Sequence, residues 1–132
     1  MFMVRRLISA IIFCLYIAAV AYLCFAKPED MPAIPETWFG LPSDKVGHFF
    51  MFLPFPVLGF LTLRSAEDSM TKKFLTVAAL IVAGTAAAVG IEVVQTYLQY
   101  RSFETADILA DGLGLLCGGI LISSYIMISR DK

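Results

Sequence analysis

The chain has 132 residues, of which 59% are hydrophobic and 16% charged, and its net charge is −1; the mean hydropathy is +0.81. Soluble domains carry about 25% charged residues, so this composition excludes an ordinary soluble domain and indicates one all-α, polytopic membrane domain over residues 1–132. It contains no basic patch or nucleic-acid motif, which excludes nucleic-acid binding, and Cys14, Cys24 and Cys117 lie in apolar segments without a CxxC spacing, as small hydrophobes do.

The first predicted span covers residues 7–26, close to the ~20 apolar residues that cross a bilayer. Arg5 and Arg6 precede it, and its apolar run exceeds the roughly 7–15 residues of a signal peptide, so it reads as a retained anchor. Residues 27–45 form a linker rich in proline (Pro28, Pro32, Pro35 and Pro42), with Trp38 and Phe39 expected at the membrane surface. The second span, 46–63, contains Pro54, Pro56 and Gly59 and is expected to break near its middle. A polar loop follows. The third span covers 74–98 and the fourth 105–128, and the short turn between them makes these two helices antiparallel neighbours. The expected fold is a four-transmembrane-helix bundle.

Lysine and arginine set the expected orientation. Arg5, Arg6, Arg64, Lys72, Lys73, Arg130 and Lys132 fall on one side, and Lys27, Lys45 and Arg101 on the other. The positive-inside rule then places both termini in the cytoplasm, and the linker and the 99–104 turn outside.

In this topology, residues distant in sequence meet at one outer level. Asp44, Lys45 and His48 open the second helix, Glu92 and Gln95 close the third, Arg101 sits in the turn, and Asp107 and Asp111 open the fourth. Charged groups at membrane depth cost roughly 2.5–3.5 kcal/mol each on insertion scales, so a short chain that keeps this many either uses them or pairs them. Asp44 and His48 share a helix face at i,i+4, as do Asp107 and Asp111. Glu92, Gln95 and Gln99 are spaced as one stripe, and the structural alternative for Glu92 is an ion pair with Arg101 or His48. Gly114 and Gly118, with Ala83, Gly84, Ala87 and Ala88 on the third helix, suggest close small-residue packing. The donor set is poor in His and Cys and lacks HExxH, so neither a metal nor another cofactor is expected.

Three segments carry a resemblance: DKVGHFFMF (44–52), GIEVVQTYL (90–98) and RSFETADILADGLG (101–114). In order, they resemble the VanZ-like family, with its Asp-Lys…His, Glu-x-x-Gln and Arg…Asp-x-x-x-Asn patterns. Asp44, Lys45, His48, Glu92, Gln95, Arg101 and Asp107 match, while Asp111 stands where the family usually has asparagine. The founding member is linked to resistance to teicoplanin, a glycopeptide that binds cell-wall precursors outside the membrane. The resemblance therefore implies a multi-pass protein of the bacterial plasma membrane, working in the cell envelope in an antibiotic-resistance context.

Three functions remain open. The eight polar residues could bind an anionic membrane lipid or cell-wall precursor through Lys45, His48 and Arg101, with Glu92, Asp107 and Asp111 orienting them. His48 or Glu92 could serve as the acid or base of a membrane-surface enzyme acting on a lipid-linked substrate. The cluster could instead only lock the helices together while an envelope protein partner supplies the function.

Overall fold

The computed structural model describes residues 1–130. Helix α1 (Phe2–Phe25) leads into a single 3-10 turn at Pro28–Asp30 and a small hairpin of β1 (Thr37–Trp38) and β2 (Leu41–Pro42). Four further helices follow: α2 (Ser43–Phe52), α3 (Pro54–Leu63), α4 (Met70–Tyr97) and α5 (Thr105–Arg130). Helix α1, α2 with α3, α4 and α5 form four segments long and apolar enough to cross a membrane. The chain is thus an all-α, multi-pass membrane protein. Helices α1, α4 and α5 run past the predicted spans at the end that carries the termini, and α2 starts at Ser43, so Asp44 and Lys45 lie in its first turn, as expected of residues that open the second helix.

The predicted break in the second span falls at Leu53. This residue keeps helical dihedrals (φ −56°, ψ −43°) and ends α2 where α3 begins. The interruption follows from chemistry: Pro54 and Pro56 have no N–H to return to the carbonyls of Phe50 and Phe52. The linker hairpin turns on Phe39 (φ 54°) and Gly40 (φ 77°), the pair of positive φ angles of a two-residue hairpin turn. Helix α4 ends in a Schellman motif. Gln99 takes a left-handed φ of 61°, its N–H donates to Thr96 O at 3.1 Å, and the Tyr100 N–H donates to Gln95 O at 3.1 Å. This cap takes Gln99 out of the predicted Glu92–Gln95 stripe and leaves it exposed beyond the helix end.

Helix α5 is central, packing on α2, α3 and α4, while α1 leans chiefly on α3 and buries only Cys24. Lipid tails are as apolar as leucine, so close backbone approach and dispersion must hold such helices together. One core joins Phe60, Val77, Leu80, Ile122 and Ile126, and a second joins Phe52, Ala88 and Leu115. The small residues divide differently from expectation. Gly114 lies against the Phe49 carbonyl and Gly118 against the Leu53 carbonyl, so both serve the α2–α3 break rather than α4. Gly84 receives Leu115 and Gly119 receives Ile81, while Ala83 and Ala87 are exposed.

Up–down helices bring the C-terminal ends of α1 and α4 to the N-terminal ends of α2 and α5. At the opposite end, Arg6 Nε donates to Thr62 O at 3.3 Å and Arg64 Nη1 to the Tyr125 hydroxyl at 3.5 Å. Arg5, Lys72, Lys73 and Arg130 share that end. Lys132, counted with them in the charge argument, lies outside the described residues.

Candidate functional site

The polar residues predicted to meet do meet, in two layers. The first layer, at the helix ends, centres on Lys45, one residue into α2 from Asp44. Its ammonium lies 2.8 Å from Asp44 Oδ2 and also donates to Glu104 Oε2 and Asp107 Oδ1. Asp107 is 0% exposed, and a carboxylate so buried requires such partners. Asp44, Glu104 and Asp107 are close enough together to hold a cation. The Lys45 ammonium, bonded to all three, supplies that cation from the chain itself.

The second layer lies about one helical turn deeper. His48 is buried on α2, and its Nδ1 lies 2.8 Å from Asp111 Oδ1. A carboxylate only accepts, so Nδ1 carries the hydrogen. On the other side of the ring, Arg101 Nη1 lies 3.4 Å from Nε2, and a guanidinium only donates. Nε2 also lies 3.6 Å from Asp107 Oδ2, so Asp111 orients the ring through Nδ1 while Nε2 faces both Arg101 and Asp107. Arg101 Nη2 also lies 3.0 Å from Asp107 Oδ2 and 3.5 Å from Asp44 Oδ2. Asp107 thus links the layers through Lys45 and Arg101.

Glu92 has a different partner from either predicted ion pair. Its Oε1 accepts the Glu104 backbone N–H at 3.1 Å. No Lys, Arg or His among the described residues forms a salt bridge with it. Glu92 therefore ties α4 to the segment that starts α5. Gln95 has a capping role. Pro28 has no N–H to give the Cys24 carbonyl at the end of α1, and Gln95 Nε2 donates to that carbonyl at 2.7 Å. The contact fixes the amide orientation and leaves Gln95 Oε1 buried without a hydrogen-bond partner.

These groups form the floor of a cavity of about 550 Å³. Ser43, Asp44, His48, Gln95 and Arg101 line it on the polar side; Leu23, Met31, Pro32, Ile34, Trp38 and Met51 line it on the apolar side. Trp38, expected at the membrane surface, is a wall of this cavity, whereas Phe39 is 94% exposed. Glu92, Asp107 and Asp111 are not among the lining residues. They act behind it, on the groups that are.

Sequence reasoning missed Glu104, whose carboxylate and N–H both serve the cluster. An acidic residue just before the first turn of a helix reads as a dipole partner, which hid its second role. It also missed Tyr16, whose hydroxyl donates to Met51 O beside the α2–α3 break. An unpaired tyrosine within an apolar span is the signal that could have found it.

A model of the VanZ/LLP1 family matches residues 13–128, nearly the whole chain. The chain belongs to the VanZ/LLP1 family. An uncharacterised protein of the fission yeast Schizosaccharomyces pombe is 33% identical over 113 residues, which cover 86% of this chain and 60% of that relative. The chain therefore spans about 60% of this curated relative's length. No solved structure matches. The VanZ/LLP1 match contains every residue of the two polar layers and the whole cavity wall from Leu23 to Arg101.

Proposed function

We propose that this VanZ/LLP1 protein works in the bacterial cell envelope, where its polar cavity binds an anionic lipid or cell-wall-precursor-type ligand. The supporting observation is the two-sided cavity: an apolar wall beside a floor on which Arg101 adjoins His48. An amphiphile fits that division, with its chain on the wall and its head on the floor. Arginine suits the head because its planar fork matches phosphate and carboxylate. Arg101 keeps 32% of its side chain exposed, and Gln95 Oε1 offers an acceptor to a head-group N–H or O–H. The lysine and arginine distribution supports a cavity on the outer face of the plasma membrane with both termini in the cytoplasm. Ligands there include the precursors that teicoplanin binds, which connects this reading to glycopeptide resistance.

A specific observation favours a structural part for the first layer. Lys45 is enclosed by three carboxylates and Glu92 is closed off by a backbone N–H. The layers separate by experiment. Native mass spectra of detergent-purified wild type should retain an anionic envelope lipid that folded Arg101→Ala has lost, whereas Glu92→Gln should lower the melting temperature with the lipid still bound. Equal lipid retention by wild type and Arg101→Ala would refute the binding reading.

A further inference from the structure

A binding site has no need of an imidazole held at both nitrogens. Building on the lipid-head reading above, we infer that the cavity is catalytic: it transfers the terminal phosphoryl group of a lipid phosphate to water, with His48 Nε2 as the nucleophile. Three observations converge on this chemistry. The buried Asp111 carboxylate, 2.8 Å from Nδ1, orients the ring so that Nε2 faces Arg101 at 3.4 Å, with Asp107 Oδ2 3.6 Å away. Arg101 Nη1 stands 3.4 Å from that nitrogen, so a phosphoryl oxygen taken by the guanidinium brings phosphorus beside the nucleophile. The apolar wall adjoins the same floor, which places the bond between lipid and phosphate at the boundary of the two halves. Phosphoryl transfer asks little of a protein beyond in-line positioning and charge stabilisation.

The acidic residues are compensated before an anionic substrate enters, because each carboxylate already has a cationic or N–H partner. Asp111 holds His48, Asp107 holds Lys45 and Arg101, Glu104 holds Lys45, and Glu92 accepts a backbone N–H. Asp44 alone of the five lines the cavity.

The steps balance as follows. Nε2 attacks phosphorus, the N–P bond forms, and the bond from phosphorus to the lipid oxygen breaks. The lipid oxygen leaves with the electron pair and takes a proton from water. The resulting hydroxide attacks the phosphohistidine, the N–P bond breaks, and its electron pair returns to Nε2. The products are a lipid alcohol and inorganic phosphate; for a lipid diphosphate they are the lipid monophosphate and inorganic phosphate. His48 and Arg101 touch the substrate, and Asp111 is a positioning residue.

The test uses the full chain in detergent with phosphatidate, lysophosphatidate and a polyprenyl diphosphate; phosphatidylglycerol, a diester with no terminal phosphoryl group, is the control. The wild type should release inorganic phosphate from at least one of the first three and none from the control. The monophosphate and diphosphate arms identify the source of the group. His48→Gln should lose release by roughly a thousandfold. Asp111→Ala should lower kcat by about a hundredfold at unchanged KM, and Asp111→Asn, which still accepts from Nδ1–H, should recover most of it. Peptide mapping of quenched wild type should find a phosphoryl group on His48. That measurement decides the matter even where His48→Gln fails to fold. Release undiminished in folded His48→Gln overturns the inference. So does lipid phosphate bound in native mass spectra without turnover, which leaves the binding reading standing. Absence of both binding and turnover overturns the two together.

Discussion

Gly114→Ala tests how packing sets the site. A Cβ at Gly114 meets the Phe49 carbonyl oxygen well inside contact distance and lies 3.2 Å from Leu53 N. Both are backbone atoms, so no side chain can swing aside, and α2 must retreat from α5 by about 1 Å. Phe49 follows His48, and Gly114 lies one turn beyond Asp111. The same retreat stretches the 2.8 Å contact between His48 and Asp111 to roughly 3.8 Å, beyond hydrogen-bond range. Overpacking costs about 1–3 kcal/mol, and parting two buried polar groups adds about 1–3 kcal/mol. The higher helix propensity of alanine offsets about 1 kcal/mol of this. The net expectation is a loss of about 1–5 kcal/mol, read by reversible denaturant titration in mixed micelles. Gly112→Ala is the control: it lies on the same helix, its Cβ would meet nothing within 4 Å, and it should be neutral or slightly stabilising. Equal stability of Gly114→Ala and Gly112→Ala would refute the argument that backbone approach between α2 and α5 holds the site together.

Three further predictions address the cluster and the turns. Lys45→Met takes from Glu104 its cation and from Asp107 one of two, with Arg101 Nη2 still 3.0 Å from Asp107, and should destabilise by about 1–3 kcal/mol; adding Asp107→Leu should recover part of that loss, measured in the same titration. Gln99→Gly relieves the left-handed φ of 61° at the end of α4 and should stabilise by up to about 1 kcal/mol, so a lower melting temperature would contradict the cap assignment. In the loop before α4, the Lys72 ammonium 2.6 Å away and the Ser65 N–H hold the Asp68 carboxyl below its ordinary value of 3.8. A depressed pKa stabilises above the unfolded value and stops doing so as pH falls through the folded one. The deficit of Asp68→Asn against wild type in a melting series should therefore be present at neutral pH and vanish in acid below 3.8; a deficit independent of pH would contradict the pairing.

The helices and the gathering of Asp44, His48, Arg101, Asp107 and Asp111 at one end were legible because apolar length and short turns dictate up–down topology. The partners were less legible. Nothing in the spacing distinguishes a guanidinium from a backbone N–H as the partner of Glu92, because the Glu104 N–H becomes available only through the path of the turn. Gln95 reads as a helix-face polar residue until Pro28 is recognised as depriving the Cys24 carbonyl. That deficit lies in the sequence, but its remedy comes from a helix 71 residues away. The facing of Gly114 and Gly118 depended on the rotation of α5, which the strongly apolar surface of that helix does not encode.

The sequence separation of the polar partners bears on how the protein is made. Asp44, Lys45 and His48 enter the membrane with α2, yet Arg101, Glu104, Asp107 and Asp111, which satisfy them across helices, are 53–63 residues further on. While α3 and α4 are being synthesised, Lys45 has Asp44 as its partner within α2, but His48 lacks Asp111 until α5 arrives. Maturation is therefore governed by the last span. A nascent chain stalled before it lacks the partners that Glu104, Asp107 and Asp111 give to Lys45 and His48.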